Sequence, residues 1–253
     1  MLKSIYIALD RSRRPLRDRY CALVAEKDIA LIRIPHAASM LQRHPLEYLV
    51  NGNDDRSPPA STRSKNGWID GTQLVSPREL INRRNPALAF AIIRHPGHRL
   101  AACYRRQILE RDTISDAWML RGFRIDMSFH EFVRRACIIG DTRADNHTRS
   151  QTSLLSHKGN MLSAKLLRAE HLADDWENLR AALSRSRFSD VGPCPDIDEE
   201  KAFEDASLYD ALPQVEKHRI GTRYFDDFQR FYKDAATGED KREDLAPAYF
   251  GVQ

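Results

Sequence analysis

Two apolar runs that end on proline constrain this chain more than any other feature. The first is Asp28-Ile29-Ala30-Leu31-Ile32-Arg33-Ile34-Pro35. The second is Ala87-Leu88-Ala89-Phe90-Ala91-Ile92-Ile93, closed by Arg94-His95-Pro96. Each is strand length, and apolar residues fill both sides of the pleat, the signature of a strand covered on both faces. Each is followed by a helical pattern. Ala38 to Val50 carries Met40, Leu41, Leu46 and Leu49, and Gly97 to Arg111 carries Leu100, Tyr104 and Ile108 at helical spacing. A shorter strand at Lys165 to Ala169 precedes an amphipathic helix over Ala173 to Leu183, and Tyr224 to Lys233 closes the pattern with an aromatic helix. Ser76-Pro77-Arg78-Glu79 and Ser128-Phe129-His130-Glu131 place a serine N-cap three residues before an acid, so each opens a helix. Strands alternating with helices predict an α/β fold with a mainly parallel central sheet flanked by helices.

With 253 residues, 42% of them hydrophobic, the chain can bury one full core. It shows no repeat and no linker, so a single domain over 1–253 is expected. Forty basic residues face 36 acidic ones, a formal charge of +4. That near balance, with dispersed basic residues and no aromatics between them, speaks against a nucleic-acid binder. The cluster Arg11, Arg13, Arg14, Arg17 and Arg19 reads as a solvated arm. Cys21, Cys103, Cys137 and Cys194 form no C-x-x-C pair, so no metal site is expected and the thiols read as free in a reducing compartment. No secretory apolar region follows Met1, and no run reaches the roughly 18 apolar residues of a membrane helix, so a cytoplasmic location is expected.

The chemistry concentrates at the two strand-to-helix junctions. Ligands of parallel α/β sheets sit beyond the carboxyl ends of the strands. Helix N-termini there present free N–H groups suited to phosphate and sulfate. The segment Arg94-His95-Pro96-Gly97-His98-Arg99-Leu100-Ala101-Ala102-Cys103-Tyr104-Arg105 resembles the Arg-Asp-Pro-x-x-Arg-x-x-Ser-x-Tyr-Arg pattern of the sulfotransferases. Pro35-His36-Ala37-Ala38-Ser39-Met40 sits where that family carries Pro-Lys-x-Gly-[Ser/Gly]-Thr. Ser128 to Phe132 is similar to its Ser-Phe-x-x-Phe helix. His147 to Gln151 resembles the His-x-x-x-Gln segment of the carbohydrate (type 2) branch. Glu170 to Asp175 matches Glu-x-Leu-x-x-Asp, and Tyr224 to Phe231 matches Tyr-x-x-Asp-x-x-x-Phe. The likeness covers about 28–233 and rests on the order of these segments.

The resemblance implies a P-loop-like three-layer sandwich. It also implies transfer of a sulfuryl group from PAPS, leaving PAP, to a hydroxyl of a carbohydrate or glycoconjugate. On it, Arg94 and Arg99 are the candidate 3′-phosphate ligands, with Arg99 alternatively a brace for its helix. Pro35, Ala37, Ala38 and Ser39 form the loop around the 5′-phosphosulfate. His36 is the candidate leaving-group stabiliser, His147 the candidate base, and Arg149 and Gln151 candidates at the acceptor. The expected partner is a carbohydrate or glycolipid acceptor, which leaves room for peripheral membrane contact; acceptor identity and oligomeric state stay open. The departures are a histidine for the loop lysine, Ala38 for glycine, Met40 for threonine and Ala102 for the phosphate-binding serine. They keep a second reading alive: a non-catalytic protein of this fold that binds nucleotide, glycan or a protein partner. A P-loop phosphotransferase is disfavoured, because no G-x-x-x-x-G-K-[ST] occurs in the chain.

Overall fold

The computed structural model describes residues 17–38, 44–51, 71–84, 87–184, 190–196 and 198–233. Ser39, Met40, the start of the helix expected from Ala38 and most of the loop expected over Asn51 to Gly67 lie outside them. The main sheet has five strands. They are β1 (Cys21–Val24), β2 (Ile29–Ile32), β3 (Gln73–Val75), β4 (Leu88–Ile93) and, after a small ribbon of β5 (Ser156–His157) and β6 (Asn160–Met161), β7 (Lys165–Arg168). Their order is β3-β1-β2-β4-β7.

The pairings β2–β4 and β4–β7 are parallel, whereas β1–β2 and β1–β3 are antiparallel. The sheet is therefore mixed, not mainly parallel as the alternation of strands and helices led one to expect. The cause is local. β1 returns into β2 through a single short turn, Ala25–Lys27, closed by Asp28 at φ 50°. A connection that short can only make a hairpin; a parallel crossover needs a dozen residues or more.

The helices are α1 (His44–Asn51), α2 (Pro77–Ile81), α3 (Pro96–Tyr104), α4 (Asp116–Met119), α5 (Phe129–Ile138), α6 (Gln151–Leu154), α7 (Leu172–Ser184), α8 (Glu199–Asp210), α9 (Gln214–Arg223) and α10 (Phe225–Phe231). Both expected capping boxes form. Ser76 and Ser128 accept from the N–H of Glu79 and Glu131, whose carboxylates accept from the serine N–H groups in return. Alternate β4 residues serve two cores. Ala89, Ala91 and Ile93 pack with Leu80, Leu154 and Phe231, while Leu88, Phe90 and Ile92 pack with Leu46, Trp176 and Leu179. Helices thus cover both faces of the sheet, which makes three layers and explains why β4 is apolar at every position. Trp176 is fully buried edge-on to Phe90 and donates to the Gly192 carbonyl, so it is core. A third cluster joins α3, α5 and α9 through Leu100, Phe132 and Ile220. Among the described residues no helix is long and apolar enough to cross a membrane.

Candidate active site

β2 and β4 lie side by side and parallel, so the segments leaving their carboxyl ends meet on one edge of the sheet. From β2 the chain runs through Arg33 and Ile34 into Pro35–Ala38. His36 and Ala38 both take left-handed backbone angles, φ 66° and 53°. Such a conformation costs an L-residue about 1–2 kcal/mol and glycine almost nothing. That accounts for the glycine in the pattern this loop resembles. Ala38→Gly is therefore expected to stabilise the fold by about 0.5–1 kcal/mol, after the extra entropy lost by glycine. A lower urea midpoint in the variant would show that Ala38 is not strained.

His36 is buried, and its Nε2 lies 2.7 Å from Nδ1 of His147. The other His36 nitrogen, Nδ1, is buried with no hydrogen-bond partner among the described residues. His147 Nε2 stands 3.7 Å from Asp145. Burial holds both imidazoles below their ordinary pKa. Around His36 the charges of His147, Arg99, Arg106 and Arg94 add to it; at His147 Asp145 opposes it. Both shifts favour the neutral imidazoles.

Arg99 does not line the cavity. Its Nε donates to the Pro35 carbonyl at 2.9 Å, Nη1 to Arg149 at 2.7 Å and Nη2 to Asn146 at 2.8 Å. It is 2% exposed. The guanidinium ties the loop of His36 to the loop of His147, the bracing role left open by the sequence. Gln151 is also structural: its side-chain amide makes two bonds with the Arg94 backbone, and its own N–H is capped by Asp227. Arg149 donates to Ser153.

A cavity of 430 Å³ opens between the Pro35–Ala38 loop, α3 and α8. His36, Ala38, Arg94, Ala102, Arg105 and Arg106 are on its wall. Past Tyr104 the helix widens into a π turn over Arg105–Leu109, a local irregularity common at functional sites. Arg94 and Arg105 converge on one carboxylate, Asp205 of α8, with Arg94 Nη1 at 2.9 Å and Arg105 Nε and Nη2 at 3.0 and 3.2 Å. Pro35 contributes its carbonyl to the Arg99 brace, and Ala37 is fully buried in the core beneath the loop. The sequence reading placed the patternless acidic stretch Asp196 to Asp205 at the border of the acceptor site but singled out no residue in it, and gave Arg105, Arg106 and Asp145 no role. A carboxylate two residues before His147 was the available signal for Asp145.

His95 and His98 lie tilted against each other, ring centroids 4.5 Å apart, with His98 on the cavity wall. Burial, then its neighbours His98 and Arg94, push His95 down to about 3, and burial lowers His98 as well. Four histidines thus resist protonation in the fold that accept it in the unfolded chain near pH 6.5. Below that pH the unfolded state binds more protons, so stability is full above it and falls as acid is added. A histidine wholly barred from protonation contributes a slope of about 1.4 kcal/mol per pH unit. Urea unfolding at pH 7.5 and 5.5 is expected to show a clearly lower midpoint at 5.5. An unchanged midpoint would mean that these imidazoles titrate normally.

The sulfotransferase family model matches residues 22–233. Searches among curated proteins and among solved structures return no significant match. The match spans most of the chain, both junctions and the His36–His147 pair, and the chain belongs to the sulfotransferase family. Membership supports sulfuryl transfer as the general chemistry and some acceptor substrate.

Proposed function

We propose that this chain moves a sulfuryl group from PAPS to a hydroxyl of a carbohydrate or glycoconjugate, in the cytoplasm, as a single domain over 1–253. The observation that carries the reading is the His36–His147 pair beside a cavity walled by Arg94, Arg105 and Arg106. The cavity suits the donor. Its cations match phosphate oxygens, and the orphaned buried nitrogen of His36 belongs to a residue on its wall. Arg94 and Arg105 would hold the 3′-phosphate, and His36 with the Pro35–Ala38 loop, continued by Ser39, would hold the phosphosulfate end. When bound, PAPS supplies an electrophilic sulfur and a stable leaving phosphate.

The tautomers follow from the roles. His147 Nδ1–H donates to His36 Nε2, which leaves His147 Nε2 with a free lone pair and His36 with its proton on Nδ1. His147 Nε2 takes the proton of the acceptor hydroxyl as its oxygen bonds to sulfur. Asp145, at 3.7 Å, stabilises the imidazolium that forms. His36 Nδ1–H donates to the oxygen from which sulfur departs. Each imidazole thus does its work where charge develops in the transition state.

Two observations favour the non-catalytic reading. Ala102 brings no hydroxyl to the wall, and Arg94 is already paired with Asp205. Calorimetric titration of PAP, with ADP and ATP as controls, tests the donor site, and turnover of PAPS on an acceptor separates the two readings. PAP is expected to bind more tightly than ADP, and Arg94→Ala is expected to erase the difference. A chain that binds none of the three would be a diverged member with partners of another kind.

A further inference from the structure

Four basic side chains, Arg94, Arg105, Arg106 and Lys201, line the cavity, and so do four acidic ones, Glu170, Asp196, Asp198 and Asp205. The histidines on its wall are held below their ordinary pKa. Among the described residues, the cavity wall therefore carries no net positive charge for a donor that carries several negative ones. The acids are not equivalent. Asp196 and Asp198 are exposed, and Glu170 accepts from the His95 N–H at 2.6 Å and from the Tyr232 hydroxyl at 3.3 Å. Asp205 is 1% exposed, and it alone among the four bonds the arginine expected to read the 3′-phosphate.

The geometry around Asp205 is that of an anion seat already filled. Three guanidinium nitrogens from two arginines meet its two oxygens at 2.9 to 3.2 Å. A phosphate oxygen pair would ask for the same forked donors. The carboxylate is tied to the position of α8 by a short side chain. That helix is set close against α3: a Cβ added at Gly97 would meet the Tyr209 ring at 2.3 Å. With α8 seated there, the Asp205 carboxylate is held within reach of the fork.

We propose that Asp205 is an internal competitor for the donor's 3′-phosphate, held on Arg94 and Arg105 by α8, and that it sets how tightly and how selectively the donor is bound. The 3′-phosphate enters by replacing the Asp205 carboxylate, and α8 shifts off α3 as it does so. No bond is made or broken; one anion exchanges for another on the same two cations. This rests on the PAPS reading above.

Asp205→Asn keeps the shape and removes the charge. In titrations of the full chain, D205N is expected to bind PAP at least about tenfold more tightly than the parent, because a charge-assisted contact is released to the ligand. Its ADP affinity, with no 3′-phosphate to compete, is expected to stay within about twofold. If the parent binds PAP and D205N binds it no better, or if PAP and ADP gain alike, Asp205 is a structural counter-ion and the inference fails while the donor reading stands. If neither chain binds PAP, both fail together. Should D205N not fold, hydrogen exchange on the parent decides. PAP is expected to speed exchange of the α8 amides over 199–210, whereas slower or unchanged exchange there would overturn the proposal.

Discussion

His147→Ala is expected to lower kcat on a working acceptor by about 10²–10⁴-fold, the usual worth of a positioned general base. PAP affinity should hardly move, because His147 is not on the wall of the cavity proposed to hold the donor. His36→Ala should lose a comparable factor, since the bond it gives to the departing oxygen strengthens only as charge builds there. The double variant should be scarcely worse than either single one, because each histidine fixes the tautomer of the other. The pH profile adds a signature that a structural role would not produce. The base works only while neutral, and its pKa lies below the ordinary histidine value. The acid limb of kcat/KM should therefore fall below the usual histidine range. Asp145→Asn removes the charge that opposes this shift, and the limb should move further toward acid. A confirmed acceptor turned over equally well by the parent and both alanine variants would overturn the mechanism.

The central layer and the site's edge were legible because they rest on short-range rules. The β2 and β4 runs are apolar at nearly every position and proline follows each, so strand, terminus and ligand edge came together from local sequence. The two serine boxes fixed helix starts in the same way. β1 and β3 were not legible. Cys21–Val24 and Gln73–Val75 are short, and β3 is half exposed, so only the hairpin partner and the edge position give them order. Their omission made a mixed sheet look parallel. α8 was missed for a related reason: its sequence is polar with a weakly defined apolar side, and its seat comes from Tyr209 against Gly97 and from Asp205 between two arginines. The histidine pair shows the same limit inside the site. Each member could be singled out by resemblance, but they are 111 positions apart, and only the fold sets them 2.7 Å from each other.

Arg99→Ala is expected to destabilise the protein by about 3–5 kcal/mol, the scale reached when a buried network loses its centre. The arginine pattern alone assigns Arg99 to phosphate, yet its planar fork is spent on three backbone carbonyls. Those carbonyls sit in segments with no strand or helix ladder of their own, so without Arg99 they are left buried or must be opened to water. Burial without a bonded carboxylate lowers the pKa of the guanidinium, and the more distant Asp227 and Asp141 help to keep the charge. Arg99→Lys preserves that charge but cannot present three donors in one plane, so it should recover only part of the loss. The functional consequence is separate from stability. Pro35 precedes His36, and Asn146 and Arg149 flank His147, so the same three bonds hold the two imidazoles in register. Arg99→Lys, assayed at a temperature where it remains folded, should therefore lose kcat while its affinity for PAP stays near that of the parent. Unfolding in urea and PAP titration of the one variant test both halves. A lysine variant within about 0.5 kcal/mol of the parent and with unchanged kcat would make Arg99 an ordinary buried cation with no positioning role.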